Sequence, residues 1–175
     1  VFELASITKQ FTAVSILMLE EQGKLKVSDD ITKYIPDYPA NGKTITIHHL
    51  LNHTSGIKSY TDMDSFFSKA RTDMTVTEII DAFKNEPMDF DPGTDFHYNN
   101  SGYILLGYII EQVSGVSYED YIEKNIFERL GMSNSRYGSK KELIKNRAIG
   151  YQPSEDGMRN ADYLSMTLPY AAGSL

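Results

Sequence analysis

Residues 2–9 read Phe-Glu-Leu-Ala-Ser-Ile-Thr-Lys, and a run with helical patterning continues from them to Gln22. Ser6 and Lys9 are three apart at what the pattern predicts to be the opening turn of a helix. That spacing places a hydroxyl and an ammonium on one face, one turn apart. A serine is a weak nucleophile at its own pKa and needs a neighbouring base or cation to activate it; a lysine one turn along can serve as either. The helix N-terminus adds unpaired N–H groups and a partial positive charge, which favour a developing oxyanion. The stretch therefore predicts a serine acyl-transfer enzyme with Ser6 as nucleophile. Spacing alone leaves a second reading open, an N-cap serine followed by a solvated lysine.

The helix is predicted over 7–22, with Phe11, Val14, Leu17 and Met18 as its apolar positions and Gly23 as a left-handed cap. Ser28, Asp29 and Asp30 can cap a short turn through Tyr34, ended by Pro36 and Pro39. Residues 44–47 alternate like a strand, but Thr46 can equally N-cap a short helix over 47–53 that turns Leu50 and Leu51 inward, and the helix is preferred. A further helix is expected over 62–69. Thr75 with Glu78 has the form of a capping box ahead of Ile79, Ile80 and Phe83. Residues 101–113 form a strongly apolar helix closed by Gly115, expected at the centre of its lobe. Ser117 with Asp120 opens another helix through Glu128, stopped by Gly131. Beyond Gly138 the pattern weakens; 148–152 is expected as a strand and 154–160 as a polar loop.

The totals exclude several function classes. The chain has 175 residues, 41% of them hydrophobic, enough for a sizeable core. A net charge of −7 without any Lys/Arg run argues against nucleic-acid binding. Apolar stretches such as 103–110 are too short to span a bilayer. With no cysteine there is no disulfide and no thiolate metal site.

Ser-x-x-Lys is a weak pattern, and Ser55-Gly56-Ile57-Lys58 also matches it. That copy lies in a Thr-Ser-Gly turn after a helix, with no long apolar helix following, and is read as chance. The second candidate segment is Tyr98-Asn99-Asn100, just before the central apolar helix. A tyrosine held near an ammonium has its phenolate favoured and can relay protons. In an extended segment the amide of Asn100 projects to the same side as Tyr98, toward Lys9 or a substrate amide. The bland alternative is a buried tyrosine and a capping asparagine. His49 and His53 share a helical face at a zinc-pair spacing, but there is no His-Glu-x-x-His pattern and no third ligand. Both are therefore expected to be packed or hydrogen-bonded in the fold.

Taken together, the two segments resemble the serine β-lactamases and penicillin-recognising D-alanyl-D-alanine peptidases, most closely the class C β-lactamase branch with its peptidase and esterase relatives. That family shows Ser-x-x-Lys at a helix start, here Ser6–Lys9, and Tyr-x-Asn about a hundred residues later, here Tyr98–Asn100. Residues 46–56, ending in His53-Thr54-Ser55-Gly56, resemble a familial segment, as do 98–107 and Leu130-Gly131-Met132. The resemblance implies an α-rich chain, the helical lobe of the α/β serine β-lactamase/DD-peptidase fold, with most of the antiparallel sheet outside these residues.

By the same resemblance, Ser6 forms an acyl-enzyme, Lys9 and Tyr98 share the general-base work, and Asn100 positions groups around them. The substrate would be a β-lactam, a D-Ala-D-Ala peptide or an ester, with no cofactor and no metal. The full-length protein would be periplasmic or extracellular. The family's third motif, Lys-Thr-Gly or His-x-Gly, does not occur after Tyr98, and Lys43-Thr44-Ile45 fails at its third position. Residues 171–175 resemble a segment that precedes that motif. The expectation is thus a single partial domain over 1–175, with the third motif, one oxyanion N–H and most of the sheet beyond Leu175, early strands before Val1, and little turnover by this piece alone. A non-catalytic sensor or interaction module is the alternative, disfavoured by the presence of Ser6, Lys9, Tyr98 and Asn100 together.

Overall fold

A computed structural model describes residues 1–175, the side chain of Phe67 excepted. Among the described residues the chain is helix-rich, with one two-stranded sheet. A 3-10 turn over Ala5–Ile7 leads into α1 (Thr8–Glu21). There follow a 3-10 turn at Ile31–Lys33, α2 (Ile47–Leu51), a 3-10 turn at Tyr60–Asp62, α3 (Phe66–Lys69) and α4 (Val76–Phe83). The long helix α5 (Asn100–Ser114) comes next. Then α6 (Tyr118–Ile122) runs on as a π-helical turn, Glu123–Phe127. Strands β1 (Tyr151–Ser154) and β2 (Gly157–Asn160) and the short α7 (Tyr170–Gly173) complete the order.

The core is built around α5, on which α1, α2, α4, α6 and α7 all pack. Ile104, Leu105, Leu106, Ile109 and Ile110 are fully buried, each contributing about 1.5–3 kcal/mol of burial free energy. The helix starts where Asn99, in extended conformation, accepts from the Gly102 N–H at 2.8 Å, and it ends at Gly115 with φ +76. The other caps lie where local chemistry requires them. Thr75 and Glu78 form the capping box of α4, Thr46 caps α2, and Ser117 accepts from the Asp120 N–H ahead of α6.

Three expectations are corrected. On α1, Val14 and Leu17 are 47% and 51% exposed, while Thr8, Lys9, Thr12, Ser15, Ile16 and Leu19 form the buried face. The buried side is chosen by close approach to α5 and α7: small hydroxyl residues fit there, and each hydroxyl is paired. Thr12 donates to the Ala171 carbonyl at 2.7 Å and bonds the Tyr118 hydroxyl at 2.7 Å, and Ser15 donates to the Phe11 carbonyl at 2.8 Å. The expected helix over 62–69 is only the four residues of α3, preceded by the 3-10 turn at Tyr60–Asp62. The expected strand and polar loop after 148 are instead an antiparallel hairpin, pairing Tyr151 with Asn160 and Ser154 with Gly157. No residue of the hairpin is buried, so its sequence carries no alternating apolar pattern.

Candidate active site

Ser6 sits in the 3-10 turn that opens α1, and Lys9 in the first turn of the helix itself. The residue before Ser6, Ala5, has φ +49, a left-handed conformation that L-residues adopt at a cost. Leu175 lies beside it: the Leu4 N–H donates to the Leu175 carbonyl at 2.6 Å and the Leu175 N–H donates to the Thr8 hydroxyl at 3.0 Å.

Lys9 is 7% exposed and donates three hydrogen bonds: to Ser6 Oγ at 3.2 Å, Asn100 Oδ1 at 2.7 Å and the Ala172 carbonyl at 2.8 Å. All three acceptors are neutral, and among the described residues Lys9 has no carboxylate partner. Its Nζ also lies over the rings of Tyr98 and Tyr103, 4.8 and 5.4 Å from their centroids. Burial pushes the Lys9 pKa below the usual lysine value, opposed by the Tyr98 hydroxyl, which favours the ammonium.

Tyr98 donates to Ser6 Oγ at 2.7 Å. The extended backbone at Asn99 places Tyr98 and Asn100 on the Lys9 side, while Asn99 turns the other way to cap α5 and donate to the Ile57 carbonyl. Asn99 is thus the helix cap and Asn100 the partner of Lys9. The Asn100 amide is oriented by a loop: its Nδ2 donates to the Thr61 hydroxyl at 3.0 Å, and its backbone N–H donates to Ser59 Oγ at 3.2 Å. The four predicted residues, Ser6, Lys9, Tyr98 and Asn100, therefore converge on one cluster.

Several contributors had no signal in the sequence. The Ala172 carbonyl reaches the cluster from the short α7, and Ser59 and Thr61 from the start of the 3-10 turn at Tyr60–Asp62, with no periodicity or motif to mark them. Gly56 allows the Thr54–Lys58 turn to approach the 89–90 segment. Its φ is +72, and a Cβ there would lie 1.9 Å from the Phe90 carbonyl oxygen. The second Ser-x-x-Lys match is separate from the cluster. Ser55 Oγ accepts from the Ile57 N–H at 3.4 Å, and Lys58 pairs with Asp89 at 3.1 Å. Both histidines of the zinc-spaced pair are hydrogen-bonded. His49 Nδ1 accepts from the Thr46 N–H at 3.3 Å, and His53 Nδ1 accepts from the Asn99 N–H at 3.0 Å.

In this resting geometry Ser6 Oγ accepts from both the ammonium and the phenol. Neither donor can take the Ser6 proton until it has lost one of its own, so a base at this position requires a form of the cluster with one proton fewer.

Comparison with known proteins identifies the family. The family model described as Beta-lactamase matches residues 1–175. Penicillin-binding protein 4* of Bacillus subtilis is 41% identical over 157 residues, covering 86% of this chain and 34% of that protein. The structure of a penicillin binding protein from Bacillus halodurans superposes with a TM-score of 0.82 at 35% identity, covering 99% of this chain and 55% of that one. A D-amino acid amidase from Ochrobactrum anthropi, solved with D-phenylalanine, superposes at TM-score 0.84 and 29% identity, over 98% of this chain and 51% of that one. The chain spans about a third of the length of the curated relatives it matches. Among the described residues no helix is long and apolar enough to cross a membrane. With a model match over its whole length and a helix-rich structure shared with those proteins, the chain belongs to the beta-lactamase family.

Proposed function

We propose that the protein carrying this chain is a serine hydrolase that works through an acyl-enzyme on Ser6. The observation that carries the proposal is the convergence on Ser6 Oγ of Tyr98 at 2.7 Å and Lys9 at 3.2 Å, with Asn100 on Lys9 at 2.7 Å. A capping serine would need none of these three partners.

In the reacting form, the Lys9–Tyr98 pair has given up one proton. Burial of Lys9 lowers the cost of that loss. Ser6 then attacks a carbonyl carbon as its proton passes to the pair. The carbonyl π electrons move to oxygen, where the Ser6 backbone N–H supplies one oxyanion donor. A donor of this kind is worth about 2.7–4 kcal/mol of barrier. Collapse of the intermediate expels the leaving group, which takes the proton from the pair. Water attacks the acyl-serine in the second half-reaction and restores Ser6. Asn100 holds Lys9 in place and offers its amide edge to the substrate.

The substrate class is a β-lactam, a D-Ala-D-Ala peptide or an ester, and the place of action is periplasmic or extracellular. The names of similar proteins, penicillin-binding protein and D-amino acid amidase, support an acyl group of this kind. The test is covalent trapping. Full-length protein treated with a fluorescent penicillin or a fluorophosphonate is expected to carry the label on the peptide containing Ser6. Ser6→Ala should abolish both labelling and ester hydrolysis. An unlabelled Ser6 peptide, with a related enzyme labelling in parallel, or surviving hydrolysis in Ser6→Ala, overturns the assignment.

A further inference from the structure

We propose that His53 is the positioning residue for Tyr98, and that the site is assembled only while the His53 ring is neutral with its proton on Nε2. The inference rests on the hydrolase reading for its kinetic consequence, but its geometry stands independently.

His53 follows α2 and has φ +62. Its carbonyl accepts from the His97 N–H at 3.0 Å, and its Nδ1 accepts from the Asn99 N–H at 3.0 Å. These two bonds bracket Tyr98, fixing the backbone on either side of it. The His53 ring packs on the Tyr98 ring, with centroids 4.7 Å apart and planes 38° apart. It packs on Tyr103 at 5.2 Å and 32°, and Phe96 stands edge-on to it at 6.0 Å. One residue thus holds the backbone and the ring of the tyrosine that donates to Ser6.

The arrangement depends on charge. Nδ1 can accept from the Asn99 N–H only with its lone pair free, which puts the ring proton on Nε2. A second proton on Nδ1 would set two donors against each other and break the bond. It would also place a cation on rings already facing the Lys9 ammonium. The groups around His53 are Lys9 on α1, the phenols of Tyr98 and Tyr103, and His97, whose side chain stands between Asp62 at 3.6 Å and Asp89 at 3.3 Å. Lys58 is paired with that Asp89 at 3.1 Å, and His48 and His49 lie on the preceding helix. Burial, and after it the Lys9 charge, hold the His53 pKa below the usual histidine value. The ring is neutral at pH 7, and the bond to Asn99 is lost on acidification. Asn99 also caps α5, so that loss reaches Asn100 and its bond to Lys9.

His53→Asn and His53→Ala separate this role from simple packing. Asparagine tolerates the left-handed backbone and offers Oδ1 near the Nδ1 position, but it does not titrate. In full-length protein, His53→Ala is expected to lower kcat by about tenfold to a hundredfold with KM little changed. His53→Asn should recover part of that loss, and its kcat/KM should lack the acid limb that follows His53 in the wild type. An unchanged acid limb in His53→Asn, or wild-type kcat in His53→Ala, overturns the proposal. If His53→Ala does not fold, the pH profile of His53→Asn decides alone.

Nitrogen-15 spectra of the histidine rings need no activity. A bare Nδ1 on His53 at pH 7, with Tyr98 ring shifts that follow the His53 titration, is the expected result. A protonated Nδ1, or Tyr98 shifts indifferent to that titration, overturns the proposal. Absence of Ser6 labelling in the wild type would count against the hydrolase reading alone, and the spectra would still judge His53.

Discussion

The Lys9 ammonium lies 2.8 Å from the Ala172 carbonyl oxygen, across 163 positions of the chain. This contact ties the start of α1 to α7 and gives a buried cation a third acceptor beside Ser6 and Asn100. It makes Lys9 both the hub of the cluster and a folding contact, and the predictions below follow from that double role.

Lys9→Met should lower kcat/KM for an ester by about 10²- to 10⁴-fold, the usual contribution of a positioned acid–base group. In the proposed mechanism Ser6 and Lys9 act as a unit, so Ser6→Ala combined with Lys9→Met should lose scarcely more than Ser6→Ala alone. Fully additive losses in that double-mutant cycle would contradict the shared role.

The stability of the wild type relative to Lys9→Met should rise with pH. Burial puts the folded-state pKa of Lys9 below the unfolded value of 10.5. Between those two values the unfolded chain holds the proton and the folded chain does not, so the free energy of unfolding increases with pH through that window. Below the folded-state pKa both states are protonated and the full cost of burying the charge applies. Urea denaturation of both proteins from neutral pH to pH 10.5 measures the difference. A flat difference, or one that falls with pH, would show the sign to be wrong.

Thr61 fixes which edge of the Asn100 amide faces Lys9, because its hydroxyl accepts from Nδ2 at 3.0 Å and leaves Oδ1 for the ammonium. Thr61→Val keeps the shape and removes the acceptor. It should cost about tenfold in kcat/KM, the scale of one unpaired buried polar group. Thr61→Ser restores the hydroxyl and should recover most of that loss. Equal activities of the two variants would dismiss the hydrogen bond as the cause.

Gly107 lets α7 sit directly on α5. A Cβ there would lie 2.4 Å from both Ala171 Cβ and Tyr170 Cε1. Gly107→Ala should destabilise the protein by about 1–3 kcal/mol, as overpacking does. Because α7 carries the Ala172 carbonyl, kcat should fall as well. Denaturant melts and ester kinetics on the same preparation check both, and a stable variant with full activity would show that α7 can shift freely.

Local chemistry was legible wherever a feature closes within a few residues. Thr75 with Glu78, Thr46, Ser117 and Gly115 were readable because a cap bonds three or four positions away. Ser6 and Lys9 were readable as a pair for the same reason, and Tyr98 with Asn100 because an extended residue between them sends both to one side. The hairpin at 151–160 was not readable, since neither strand buries a face. Of the apolar positions of α1, Phe11 and Met18 pack on the core while Val14 and Leu17 are exposed, and the buried face also takes in Thr8, Thr12 and Ser15. Hydroxyls look like surface until their partners are known.

By itself, the sequence determined where several helices are capped, which four residues make up the candidate site, and the family to which their order belongs. Tertiary structure alone decided that Lys9 bonds the Ala172 carbonyl, that the Asn100 amide bonds Thr61, and that the His53 ring packs on Tyr98. The physical reason is range. Caps and periodicity act over one turn of chain, whereas these contacts join segments 39 to 163 positions apart, brought together only when α5 gathers its neighbours around it.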